Sequence, residues 1–465
     1  MIYSIEEYKQ EKEQVLINNF MQSKDRQELL DLKDYAKGNN PFITKRKKMI
    51  YSEEAGGLKE NPYTPNYKSK YNFYAQIISQ KNNALCSEVP LIDDVDDKTR
   101  KLMGFATKKA GYIASMQGYS FTFVGVNNQF VVFDTENVLA FADESGKLKV
   151  LLRFWQSTIE NRTITYYERY NEQGMQRFKY GAGIKGVEQV TELIPYKVNV
   201  LRSAVNTEYL TEEIGELPII VCKNNENLEP DMTPAIKSKI DLIDLIESDL
   251  YNNIQEFSDI WLSVSADVDV DVASKIKESL RKSKTMVANN GTLDIKTIDI
   301  PYEARQAAIN LLKQDLVEDA GVIDFKEIKG NATATEINAR TFKLTQKVTD
   351  YEWYMDIYLT AVVAIWQVLN NKRFDINITF QKLFIKNNLE IVNIANSIAD
   401  RVSKRAYLKL LQQANVIDDV DKEIEEQQSE ALDKFELTDI ESGVDYGGQC
   451  TQTDGYAANP VAEAE

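Results

Sequence analysis

Residues 234–261 constrain this chain more than any other stretch, because PAIKSKIDLIDLIESDLYNNIQEFSDIW has no glycine and a strict helical rhythm. Ile236, Ile240, Ile243, Ile246, Leu250, Ile254, Phe257 and Trp261 recur every three or four residues and share one face. Asp241, Ser248, Asp249, Asn252, Gln255, Glu256 and Asp259 take the opposite face, interrupted by Leu245. Pro234 suits the first turn, where a missing N–H removes no intrahelical bond. About 25 residues at 1.5 Å each make a rod of roughly 40 Å. A rod of that length is either the core helix of a large domain or an element that spans something.

Composition narrows the class. The chain has 465 residues, 43% of them hydrophobic, which predicts a globular protein of two or three sub-domains. A net charge of -17 and a pI near 4.8 argue against tight, sequence-independent DNA binding through a basic surface. MIYSIEEYKQEKEQ lacks the basic-then-apolar pattern of a secretory signal, and YLTAVVAIWQVL is too short to cross a bilayer. Cys86, Cys222 and Cys450 stand far apart without a CxxC, which predicts reduced thiols and intracellular assembly. Histidine is absent, and with it the commonest general base, the usual zinc ligand and every His-dependent triad.

The chain reads as α+β, mainly helical. Residues 1–35 look helical and charged, and Gly38–Pro65 looks like a loop. Helices are expected over NFYAQIISQKNNAL and DDKTRKLMGFATKKAGYIASM. From Tyr119 to about Val200 the pattern turns to strands, with a hairpin joining TITYYERY to MQRFKY. After the long helix come WLSVS, a short helix over DVASKIKESLRKSK and strands within KTMVANNGTLDIKTIDI. A second helix runs through YEARQAAINLLKQDLVEDAGVI. The loop DFKEIKGNAT leads to a third helix from about Thr335 to Asn370, then to the strand FDINITF and two helices between Leu389 and Gln412. The last thirty or so residues read as a disordered tail.

Several local patterns suggest an enzyme or a DNA reader, and each fails on context. Gly181, Gly183 and Gly186 spell GxGxxG, but only VEQVTEL follows where a dinucleotide fold needs a full helix. Asp267, Asp269, Asp271 and Glu278 match calcium-loop positions, yet Val272 stands where the turn needs glycine; an acidic helix start accounts for them better. The run Lys45-Arg46-Lys47-Lys48 reads as a solvated loop. The helix pair around Ser403 suggests a helix-turn-helix, but the acidic run after it would repel a duplex. No GxxxxGKS/T loop exists, so the chain carries no P-loop motor. No catalytic residue, metal site or cofactor is expected.

The order of segments is more telling. YAKGNNPFITKR, KYNFYAQIISQKNNALCSEVPL and GELPIIVCKNNENLEPDMTPAIKSKIDLIDLIESDLYNNIQEFSD, then KGNATATEINARTF and NVIDDVDKEIEEQQSE, follow one another as in a known family. The chain resembles, from about residue 25 to 435, the portal or head-to-tail connector proteins of tailed bacteriophages, particularly phages of Gram-positive bacteria. The family's usual Ser-Gly before the third long helix is replaced here by Lys329-Gly330.

The resemblance implies a closed ring, dodecameric as is usual in the family, around a central DNA channel. It implies a wing over residues 1–230, a first stem helix over 231–261, a clip over 262–300, a second stem helix over 301–324 and a tunnel loop over 325–334. The wing's long helix and strand would take 335–385, the crown 386–435 and the disordered tail 436–465. Stem packing falls to Ile236, Ile240, Ile243, Leu250, Ile254 and Phe257, against Ile309, Leu312, Leu316 and Ile323 and a neighbouring subunit. Asp241, Asp249, Glu256 and Asp259 would face the channel, and Lys326, Lys329, Gly330, Asn331 and Thr333 would form the tunnel loop. The implied role is non-enzymatic: conducting double-stranded DNA at one capsid vertex during packaging and ejection. The implied partners are terminase, a head-completion or tail adaptor, and the major capsid and scaffolding proteins, in a virion assembled in the host cytoplasm, with no membrane. The competing readings are a capsid scaffold or minor coat protein and a metal-dependent DNA-processing enzyme.

Overall fold

The chain's three-dimensional structure, a computed structural model, describes residues 2–52, 56–60, 65–203, 208–257, 261–265, 292–296, 301–324, 334–382, 392, 395–413, 416–417, 420 and 422–429. Helices and sheets share the fold, with about half of the described residues helical. Two compact units are built from residues 1–330 with 339–384, and from residues 331–338 with 385–465.

In chain order the first unit begins with β1 (Ile2–Ser4), α1 (Ile5–Gln10), α2 (Glu13–Gln22), α3 (Lys24–Ala36) and α4 (Pro41–Lys45). The hairpin β2 (Met49–Ser52) and β3 (Gly57–Glu60) precedes α5 (Phe73–Cys86), β4 (Leu91–Ile92) and α6 (Asp97–Gln117). A run of strands follows: β5 (Tyr119–Gly125), β6 (Gln129–Phe133), β7 (Val138–Ala142), β8 (Leu148–Ile159), β9 (Arg162–Asn171) and β10 (Gly174–Gly181). It closes with β11 (Glu188–Gln189), β12 (Lys197–Ser203), β13 (Glu208–Glu213) and β14 (Ile219–Lys223). Then come α7 (Pro234–Phe257), β15 (Trp261–Ser265), β16 (Thr292–Lys296), α8 (Tyr302–Ala320), α9 (Ala334–Leu369) and β17 (Ile378–Thr379). In the second unit, α10 (Lys404–Gln413) starts at Ser403, whose Oγ accepts from the Ala406 amide, and Tyr407 donates to Asn396 at 3.0 Å.

The expected hairpin pairs Asn171 with Gly174, and the Asn171 side chain accepts from the amides of Gln173 and Gly174 to set the turn. The preceding turn uses Glu160 and Asn161, both at positive φ, as a two-residue hairpin demands. Alternation then divides the six-stranded sheet by face. Leu152, Phe154, Tyr167 and Tyr180 meet Ile17 and Phe20 of α2. Leu151 and Tyr170 meet Phe121 and Phe133 of the three-stranded sheet β14-β5-β6.

The largest core gathers around α9. Tyr351, Met355, Tyr358, Leu359, Val362 and Trp366 repeat at helical spacing and pack on Met103, Ala106 and Ala110 of α6. Two polar tips inside it are satisfied: Tyr358 bonds Thr122 at 2.8 Å and Trp366 donates to Asn128 at 2.7 Å. Cys222 is buried against Met355, and Cys86 lies in the same core. Burial pushes the Cys86 thiol up to about 12 and raises that of Cys222 further.

Three sequence expectations change, and the rejection of the GxGxxG motif stands. The opening residues begin with a strand, since Ile2–Ser4 pairs parallel with Ala140–Ala142; three residues are too few to show a period. Residues 38–65 contain α4, capped by Asn40 ahead of Pro41, and the β2–β3 hairpin. FDINITF contributes only Ile378 and Thr379, paired with β4. The GxGxxG glycines end β10 and lead into β11, so no helix opens there. The short helix expected within 266–291, the acidic cluster Asp267–Glu278 and the tail at 436–465 lie outside the described residues.

Helix α6 is capped at Asp96, which accepts from the Thr99 amide, and stops at Gly118 with φ +93°. A Cβ at Gly118 would lie 2.0 Å from the Leu228 carbonyl oxygen. Gly118→Ala should therefore cost about 2 kcal/mol or more. Chemical denaturation checks this, and an unchanged midpoint would show that the Leu228 loop yields freely.

Candidate functional site: a long helix sheathed on both faces

The apolar ridge of α7 lies where its spacing demands. Ile236, Ile240 and Ile243 are buried with Ile309, Leu316 and Ala320 of α8 and with Tyr74 and Ile77 of α5. Leu250 is buried as well, and Leu312 packs at the margin. Lys239 Nζ reaches Asp319 at 2.5 Å and the Asp315 carbonyl at 3.4 Å, which fixes the two helices antiparallel. That register sets Ile254 level with the first turn of α8, where the partner helix runs out, and Ile254 is 43% exposed. Ile254 is thus far more exposed than Ile236, Ile240, Ile243 and Leu250 on the same ridge. Ile323 joins the α9 core instead of this one.

The polar face is covered too. Asp244, Ser248 and Asn252 are one turn apart and buried. The extended segment 67–71 runs along them: the Tyr71 amide donates to Asp244 Oδ1 at 3.0 Å, Ser69 to Ser248 Oγ at 2.9 Å and Tyr67 to Asn252 Oδ1 at 2.7 Å. Asn252 Nδ2 returns a bond to the Tyr67 carbonyl at 3.2 Å. Glu247 accepts from Ser69 Oγ at 2.6 Å and from the Tyr71 hydroxyl. The result is a ladder in which helix side chains take the part of a neighbouring strand.

The α3–α4 corner adds a second layer. Asp241 accepts from the Tyr35 hydroxyl at 2.7 Å and from Asn40 Nδ2 at 3.0 Å, and Asp244 Oδ2 accepts from Asn40 at 2.8 Å. Arg46 pairs with the half-exposed Asp249 at 3.0 Å. Thus two of the carboxylates expected to face a channel, Asp241 and Asp249, have donors from the chain's own N-terminal segment. The basic run is likewise engaged, with Lys47 on Glu60 at 2.9 Å and Lys45 near Asp31 at 3.8 Å.

The side chains of Glu256 and Phe257 are not among those described, and Asp259 lies outside the described residues. So do Lys326, Lys329, Gly330, Asn331 and Thr333. Between α7 and α8, β15 and β16 pair antiparallel, with Trp261 opposite Lys296 and Ser265 opposite Thr292.

The root of α7 is fixed by a group that the sequence reading passed over. Lys81 of α5 is buried, with its Nζ 2.7 Å from Asp231, 2.5 Å from Asn224 Oδ1 and 4.2 Å over the Tyr351 ring. Burial lowers Lys81 to about 8 against the pull of Asp231. Asp231 is lowered overall, since Lys81 and Lys347 outweigh its burial. A signal was present: Lys81 sits four residues after Ile77 and four before Leu85, on the apolar face of its helix. Among the described residues no group of acidic and cysteine side chains could hold a metal, and no helix is long and apolar enough to cross a membrane.

The acidic helix α7 packs on its returning partner α8, and the β15–β16 pair lies between them in the chain. Residues 21–434 match the family described as phage portal protein, SPP1 Gp6-like. The chain belongs to that family. The portal protein of Clostridium phage phiCD119 is 20% identical over 426 residues, covering 83% of this chain and 89% of its own length. Its host is Gram-positive, as the sequence resemblance led one to expect. A chain from the virion of a native gene transfer agent particle is 10% identical, with a TM-score of 0.40, and covers 84% of this chain and 94% of its own. The portal family is structural, and its known function is to conduct double-stranded DNA and dock packaging and tail components of the virion.

The ladder gives two tests. Asn252→Ala should leave the Tyr67 amide and carbonyl unpaired and cost about 1–3 kcal/mol; hydrogen exchange should speed up at residues 67–71 and little elsewhere. Asp244 is the second. Burial raises it to about 6, against the bonds from Asn40 and Tyr71 that favour its charged form. An unfolded aspartate titrates near 3.9, so the folded chain holds this proton more tightly. The stability due to Asp244 is then complete below pH about 4 and lost as the pH rises through about 6. Urea unfolding between pH 4 and 7 should give a flatter profile for Asp244→Asn than for wild type, and identical profiles would remove Asp244 from that role.

Proposed function

We propose that twelve copies of this portal protein close into a ring at one capsid vertex, with α7 and α8 forming the stem around a DNA channel. The observation that carries this reading is the match of residues 21–434 to the portal family, together with a long antiparallel helix pair ending in the β15–β16 strands. In it, residues 1–230 and 335–385 are the wing, 231–261 and 301–324 the stem, 262–300 the clip, 386–435 the crown and 436–465 a tail. The clip takes the terminase during filling and the head-tail adaptor afterwards, while the wing meets major capsid and scaffolding proteins. Assembly takes place in the host cytoplasm, without a membrane.

The charge suits the task. Every phosphate neutralised by Lys or Arg releases counterions and tightens binding, with a salt slope of about 0.9 per contact. A basic lining would brake the duplex, whereas an acidic chain keeps it free to slide. Because Asp241 and Asp249 already hold partners within the chain, the lining falls mainly to Glu256, Asp259 and the tunnel loop at 325–334. There Lys326 and Lys329 position the phosphates, Asn331 and Thr333 offer neutral hydrogen bonds, and Gly330 permits the backbone to shift.

Negative-stain images and native mass spectrometry of the purified chain should show closed rings with a central hole; a compact monomer or a sheet-like coat would count against a portal. Changing Lys326 and Lys329 together to Glu should leave the rings intact and lower the number of filled particles, more so at low salt. Normal DNA length and retention across a range of salt would mean that the loop does not grip DNA.

A further inference from the structure

Two helices that share one core leave apolar side chains uncovered on their outer faces. On α6, Phe105 is 74% and Leu102 41% exposed. On α9, Trp353 is 71% and Ile357 65% exposed. Aromatic side chains of this size each bury about 150–250 Å² when covered, and such anchors dominate protein interfaces. The charges around the two patches are opposite. Lys98 and Lys101 are exposed on the turns leading to Phe105, whereas Asp350 and Asp356 are exposed beside Trp353 and Ile357. None of these four charged groups has an ion pair within the chain, among the described residues. Shape follows the same division. Phe105 projects from a convex helix, while Trp353, Tyr354 and Ile357 border a cleft of about 650 Å³ whose floor holds Lys81 and Asp231.

From this complementarity we infer that the α6 face of one copy of this chain docks on the α9 face of the next. Phe105 enters the cleft beside Trp353, and Lys98 and Lys101 come to lie against Asp350 and Asp356. The contact is heterologous: each copy offers a basic, protruding face and an acidic, concave one, so repetition continues until the rotation closes. Oppositely charged rims also reject the two like-with-like pairings, α6 on α6 and α9 on α9. The inference rests on the ring proposed above and says which surfaces join its subunits.

The experiment uses the full chain, with wild-type rings as the reference. Phe105→Asp and Trp353→Asp, both at exposed positions, should keep the wild-type circular-dichroism spectrum and lose most of the ring species in native mass spectrometry. Mixing the two variants should then give a species of two chains, because the intact α9 face of one still accepts the intact α6 face of the other. Lys98→Glu with Lys101→Glu, and Asp350→Lys with Asp356→Lys, should each weaken rings, and the four changes in one chain should restore them. Wild-type rings from both single variants would overturn the contact and leave the portal reading standing. Loss of rings from Trp353→Asp alone, with no two-chain species on mixing, would overturn it, because the α6 face would then play no part in the contact. A wild-type chain that forms no ring at all would remove the ring itself, and this contact with it.

Discussion

Four residues of helix rise about 6 Å, and two residues of extended chain advance about 6.6 Å. That near-equality of two repeats underlies the arrangement around α7. It lets Asp244, Ser248 and Asn252 meet three alternate backbone amides of residues 67–71 without bending either segment. A helix cannot normally pair with an extended chain, because its own backbone groups are already used. Here short polar side chains supply the acceptors, and a segment with no sheet of its own avoids burying unpaired N–H groups. The opposite side of the helix is closed by ordinary apolar packing on α8 and α5.

Covering both faces changes what the acidic residues do. Buried carboxylates need donors, and Tyr35, Asn40, Ser69 and Tyr71 provide them. Negative charge on the polar side of the helix is thus used to hold the N-terminal segment to it. The Lys81–Asp231 pair does the same at the helix root, joining α5 to the loop that launches α7. Removing one member of such a pair is far worse than replacing both, because the remaining charge is stranded away from water. The long helix is therefore bound to segments far away in sequence at its base and along its length.

The sequence made the regular parts legible. The isoleucine spacing of α7, the apolar repeat of α9 and the Asn171–Gly174 turn each express a period or a turn chemistry within a short window. The family was legible from segment order even though identity to the Clostridium phage protein is only 20%. What stayed hidden depends on distant partners. Nothing local distinguishes Asp241, bound to Tyr35 and Asn40, from a solvated aspartate on the same face. Tyr67, Ser69 and Tyr71 carry no strand partner to betray them, since their neighbour is a helix some 180 residues on. Ile254 looks like Ile240 by spacing, yet it lies level with the first turn of α8 and is 43% exposed. Lys81 could have been noticed, as a charge on an apolar stripe is costly unless a partner waits for it.

Cys86 and Cys222 sit within the core shared by α6, α9 and β14, with thiols that burial keeps protonated. Only the thiolate reacts at a useful rate. Neither sulfur can be alkylated until that core opens, so each works as a chemical clock already built into the chain. In a chain carrying Cys450→Ser, a pulse of maleimide would mark the copies in which the core of α6, α9 and β14 had opened and pass over those in which it stayed closed.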